Sequence, residues 1–156
     1  MTGSRYGVLR GAISLLAVCG QAGCAVGPNT SYVAPLAAPA DAKVLANGIG
    51  AFVRTQLPAA STTLILDPTP TAQTDNALTP ALADALRQRG FAVAEGAAPA
   101  GSHTLRYWVT PLDSSGELVR LMIDGNREAA RFFVRDSSGA LQNGGPFTVL
   151  QMEASR

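Results

Sequence analysis

A chain of 156 residues that is 47% hydrophobic and 15% charged is long enough for one domain with a real core, and too apolar to stay disordered. Two cysteines and a single histidine cannot furnish a thiolate or imidazole metal cluster, and a net charge of +1 gives no bulk attraction to nucleic acid. These counts exclude most metalloenzyme and Cys/His-nucleophile chemistry, and no cofactor is expected.

The N-terminus reads as an address. Arg5 and Arg10 are the only charges before the apolar run GAISLLAVCG, which is followed by QAGC ending at Cys24. A basic start, a short apolar stretch and small residues at a cleavage point are the requirements of a secretory signal peptide, here residues 1–23. The apolar stretch falls short of the about 20 residues needed to span a bilayer.

Ala22-Gly23-Cys24 resembles the lipobox of bacterial lipoproteins, in which the cysteine is acylated and becomes the new N-terminus. Gln21 stands where that motif usually has Leu; the other candidate, Leu16-Ala17-Val18-Cys19, has the Leu but puts Val where a small residue is wanted. Cys24 is preferred, because a Pro/Ala-rich stretch suited to a tether follows it. The alternative is a plain secreted protein with a Cys19–Cys24 disulfide or two idle thiols. Ala25 is not Asp, which by resemblance to enterobacterial sorting rules favours the outer membrane, periplasmic face. Removing Arg5 and Arg10 with the leader leaves ten basic residues against eleven acidic ones.

Residues 24–40 carry Pro28, Pro35 and Pro39 and no charge, so they read as an extended tether, with Tyr32 either a docking residue for a partner or, by preference, unburied decoration. The domain is expected over 41–156. Asp41 is placed to cap a helix presenting Leu45, Ile49, Phe52 and Val53 on one side, stopped by Pro58. Gly48 and Gly50 within it read as points of close packing. Thr62–Leu66 predicts a buried strand. A second helix is expected from about Thr79 to Arg89, with Leu78, Ala81, Leu82, Ala85 and Leu86 inward and Gly90 ending it. FAVAE then gives a strand with Phe91 and Val93 inward.

Three longer runs alternate with period two. Leu105, Tyr107 and Val109 face one way in HTLRYWVTP; Val119, Leu121 and Ile123 do so in LVRLMID. In AARFFVRD the inward set is expected to be Ala130, Phe132 and Val134. PFTVLQM is the last run, with Phe147 and Val149 inward. The echo Asp113-Ser114-Ser115-Gly116 and Asp136-Ser137-Ser138-Gly139 reads as two turns or hairpin tips, and Asp124-Gly125-Asn126 as a third tight turn. The main elements order as α-β-α-β-β-β-β. Two helices packed on one face of a mixed or antiparallel sheet make this an α+β fold.

No nucleophile elbow, phosphate loop or diagnostic carboxylate pair is present. His103 lacks any orienting carboxylate that a sequence pattern supplies, so it reads as a strand-end residue. One feature rises above background: Arg106, Trp108, Arg120, Met122, Arg131, Phe133 and Arg135 are all expected on the sheet face away from the helices. Arg interleaved with Trp, Phe and Met suits a protein interface. Stacking of single-stranded nucleic acid, or a solvated face whose arginines pair with Glu117, Asp124 or Glu128, would use the same residues.

The lipoprotein leader, the Pro/Ala tether, TQLPAASTTLIL, LRQRGFAVAE, LRYWVTPLD and the late GPFTV together resemble the TrbH family of conjugal-transfer lipoproteins. The resemblance covers most of the chain. It implies a non-enzymatic, lipid-anchored part of the mating-pair apparatus, a type IV secretion system. It also implies other conjugal-transfer envelope proteins as partners, and no small-molecule substrate or nucleic acid. Only the lipid-bearing cysteine carries over, to Cys24. The residues alone also allow a lipoprotein subunit of another envelope assembly (secretion, pilus or cell-wall-synthase activator), or an envelope enzyme acting through His103.

Overall fold

Helix α1 (Pro39–Gln56) presents Leu45, Ile49 and Val53, spaced one turn apart and fully buried, to the core. The computed structural model describes residues 30–36, 39–67, 76–94 and 98–151. The leader, both cysteines and the start of the tether lie outside the described residues. Helix α2 (Leu78–Gln88) buries Leu78, Leu82 and Leu86 beside α1. Its first turn is satisfied by Asn76, whose Oδ1 accepts from the Thr79 N–H and hydroxyl, both at 2.9 Å. Gly90, at φ +90°, ends it as expected. Among the described residues no helix is long and apolar enough to cross a membrane.

The strands are β1 (Tyr32–Val33), β2 (Thr63–Leu66), β3 (Ala92–Ala94), β4 (His103–Leu112), β5 (Gly116–Ile123), β6 (Arg127–Arg135), β7 (Leu141–Asn143) and β8 (Thr148–Gln151). They form one mixed sheet of order β3-β2-β4-β5-β6-β7. β1 shares with β2 the lane beside β4, and β8 shares with β7 the lane beside β6. The β1–β4, β2–β3 and β2–β4 pairs are parallel; the hairpins from β4 onward are antiparallel. Leu105, Tyr107, Val109, Val119, Leu121 and Ile123 are buried under the helices, so the α+β reading and the alternation of β4 and β5 hold. The buried Tyr107 hydroxyl lies 2.6 Å from Thr79 Oγ1, which ties β4 to the start of α2.

Three expectations are corrected. Asp41 sits inside the first turn of α1 and not before it; Pro39 opens the helix, where its missing N–H costs nothing. The boundary at Asp41 also moves. Ser31, Val33 and Ala34, in the stretch read as tether, are at most 4% exposed. Ala34 N–H donates to Val109 O at 3.0 Å, and the Ser31 hydroxyl accepts from Tyr107 N–H at 3.2 Å. Tyr32 is half-buried in the sheet and so does not decorate a linker.

The third correction is the face of β6. Ala129 and Phe133 point to the helices, while Phe132 and Val134 are 56% and 44% exposed. A one-residue slip of the expected alternation moves every side chain to the opposite face. Two contacts decide the matter. The Phe133 ring fills the space that Gly48 leaves on α1, and Arg135 reaches Asp41 with two bonds, at 2.8 and 3.3 Å. Both are long-range contacts that the local pattern does not contain. The expectation that Gly48 and Gly50 mark close packing holds, against Phe133 and the Arg89 side chain respectively.

Candidate functional site: the outer face of the sheet

Partners across a sheet project to the same side, so the register fixes which residues share the face away from the helices. One row runs Tyr32, Trp108, Arg120, Ala130, Thr148. The next runs Arg106, Met122, Glu128, Leu150. On the other side of the first lie Thr110, Leu118 and Phe132.

Four of the seven residues expected here are brought together: Arg106, Trp108, Arg120 and Met122. The other three are not. Arg131, Phe133 and Arg135 occupy the helix-side face of β6, as the correction above requires. Phe133 is fully buried. The Arg131 guanidinium lies 5.0 Å from the Phe133 ring centre and 5.4 Å from that of Phe147, which itself stacks on Phe52 at 4.4 Å. Its Nε has no hydrogen-bond partner, and burial lowers its pKa.

Arg135 is enclosed by Asp41, Glu117 and the Gly139 carbonyl. Its hydrogen bond to Asp41 stabilises the guanidinium and holds its pKa above the ordinary value. Glu117 shares this buried site, with its Oε1 3.3 Å from Arg135 Nη2 and its Oε2 without a partner. Burial pushes the Glu117 carboxyl up, against the opposing pull of Arg135.

On the outer face both arginines are neutralised in place. Arg106 donates through Nε to Asp67 at the end of β2. Arg120 donates to Glu128 Oε1 through Nε at 2.8 Å and Nη2 at 2.5 Å, and its guanidinium lies 5.8 Å from the Trp108 ring centre. The cross-strand pairing with Glu128 was one of the expected pairings. Of the other two carboxylates, Glu117 is inside with Arg135 and Asp124 is at the strand ends with His103. Around these pairs Phe132, Val134 and Leu150, each more than two-fifths exposed, share the face with the exposed Thr110 and Thr148. The sequence reading missed those three apolar residues, and it weighed Tyr32 only as a linker residue, not as part of the sheet. The FFV triplet in β6 signalled that one Phe had to face out, without saying which.

His103 does have an orienting carboxylate. Its Nδ1 lies 2.7 Å from Asp124 Oδ2, while Asp124 Oδ1 accepts from Thr104 N–H at 2.9 Å. Asp124 is held by a tight turn at φ +54°, twenty-one residues away in sequence, beyond any local pattern. Among the described residues no hydroxyl or thiol is hydrogen-bonded to His103. No group of three or more His, Cys, Asp or Glu among them is placed to hold a metal ion. The outer face is aromatic and aliphatic between two neutralising ion pairs, Arg106–Asp67 and Arg120–Glu128.

No curated protein matches the chain, and no solved structure does. The family model described as conjugal transfer protein TrbH matches residues 26–153. That span takes in β1, both helices and the whole sheet, so the chain belongs to the TrbH family of conjugal transfer proteins.

Proposed function

We propose that this protein is a lipid-anchored, non-catalytic structural component of a conjugative type IV secretion apparatus, held by Cys24 at the periplasmic face of the outer membrane. The family match over residues 26–153 carries the reading. The leader ending in Ala22-Gly23-Cys24 supports the anchor. Two or three acyl chains, at about 0.8 kcal/mol per buried methylene, hold a protein stably where one chain does not. Such an anchor raises the effective concentration of the domain for other transfer proteins in the same membrane. The outer sheet face around Arg106, Trp108, Arg120 and Met122 is the surface through which the anchored domain meets its surroundings in the envelope.

Deleting the gene from a conjugative donor tests this. Plasmid transfer should fall sharply with donor growth unchanged, and a Cys24→Ser copy should restore transfer poorly. Palmitate labelling should be lost in Cys24→Ala and kept in Cys19→Ala. Unchanged mating frequency in the deletion strain overturns the conjugation role. Label retained in Cys24→Ala moves the anchor to Cys19.

A further inference from the structure

From the outer sheet face and the shortness of the arm that leads to it, we infer that this face lies against the lipid surface of the membrane that holds the anchor. The inference rests on acylation at Cys24. With the sheet beginning at Ser31, only six residue steps separate Cys24 from Thr30, a reach of about 20 Å; the stretch to Pro39 first read as tether would have reached about 50 Å.

The arm also starts from mid-sheet. β2 and Asp67 fill the lane beside β4 as far as Leu105, and Ser31 sits beside Tyr107, near the middle of β4. Either end of β4 is about 13–17 Å from that point along the strand, before the loops beyond it are counted. Standing end-on would consume nearly all the reach. Resting on the helices would interpose a layer about 10 Å thick whose solvent side carries Lys43, Arg54, Asp84 and Arg87. Lying on the outer face needs the least chain.

The chemistry of that face agrees. Tyr32 and Trp108 are side by side on it, the pair of residue types enriched at membrane–water boundaries. Phe132 and Leu150 project from it with half or more of their surface exposed. Arg106 and Arg120 are each paired with a carboxylate, so neither brings an uncompensated charge to the lipid. Arg120 keeps half its side chain exposed, while Glu128 beneath it is nearly covered, which turns the cation toward the headgroups.

Trp108 is the only tryptophan, so it reports on this face alone. The full acylated chain would be reconstituted into phosphatidylethanolamine/phosphatidylglycerol vesicles with or without brominated acyl chains. Trp108 should lose most of its emission in the brominated vesicles. Leu150→Asp, at an exposed site, should restore that emission while the protein stays bound through its acyl chains. Unquenched Trp108 in a protein shown by mass spectrometry to be acylated and vesicle-bound overturns the inference, leaves the anchor intact, and gives the face to a protein partner. A chain found unacylated overturns the anchor and this inference with it.

Discussion

The Phe133 ring and Gly48 interlock: a β-carbon on Gly48 would come within 2.7 Å of Phe133 Cζ, between α1 and the middle of the sheet. Gly48→Ala sets two effects against each other. Helix propensity favours Ala by about 1 kcal/mol, while overpacking a rigid, buried ring costs about 1–3 kcal/mol. Packing should win by about 1 kcal/mol, read as a lower Tm. Adding Phe133→Leu to Gly48→Ala should recover part of the loss. Additive losses in the double variant would mean the two sites are not coupled.

Gly116 is a harder constraint. Its φ is +151°, and a β-carbon there would lie 1.9 Å from the Phe133 carbonyl oxygen, a backbone atom held in the β5–β6 ladder. Gly116→Ala should prevent stable folding. Gly125→Ala, at a turn with no atom within 4 Å of the added carbon, should cost about 1 kcal/mol from backbone conformation alone. Circular dichroism and thermal melts of the two variants should separate them clearly.

The buried Glu117 makes stability depend on pH with a defined sign. Burial raises its pKa in the folded chain above the ordinary 4.5, so the folded state holds that proton more tightly than the unfolded state. Its contribution is therefore full below the ordinary value and is lost as pH rises through the raised one. Glu117→Gln should flatten this slope, gaining on the wild type as pH approaches neutrality. Asp41→Ala removes the stronger partner of Arg135 from a site 3% exposed and should cost about 3–5 kcal/mol. Denaturant midpoints across pH measure both. A Glu117→Gln slope equal to the wild type would show that Glu117 is not the group responsible.

His103→Ala should leave plasmid transfer unchanged. Its dyad with Asp124 joins the start of β4 to the β5–β6 turn at a half-exposed site, so losing it should cost no more than about 1 kcal/mol. Transfer abolished with the fold intact would reveal chemistry at this pair.

How much of this was legible in the sequence depended on whether a residue's surroundings are local. In β4 and β5 the apolar set recurs every second residue, and the alternate set carries Thr104, Arg106, Thr110 and Arg120, so Leu105, Tyr107 and Val109, and Val119, Leu121 and Ile123, could be assigned inward from spacing alone. The faces of α1 and α2 were equally readable, because Leu45, Ile49 and Val53, or Leu78, Leu82 and Leu86, repeat at the helical period. β6 was not. In Ala129-Ala130-Arg131-Phe132-Phe133-Val134-Arg135 either alternation puts one Phe inside. The pattern that buries Phe132 and Val134 also keeps both arginines out of the core, which local reasoning prefers.

The tertiary structure chose the other face. Gly48 had left a space for a ring, and Asp41 with Glu117 had supplied buried carboxylates for Arg135. Tyr32 and Val33 were illegible for the same reason. A two-residue parallel strand has no periodicity, and it pairs with β4, seventy-six residues away. Alternation records which side chains can share a face. Which face meets the core is settled only when a distant element arrives with a complementary volume or charge.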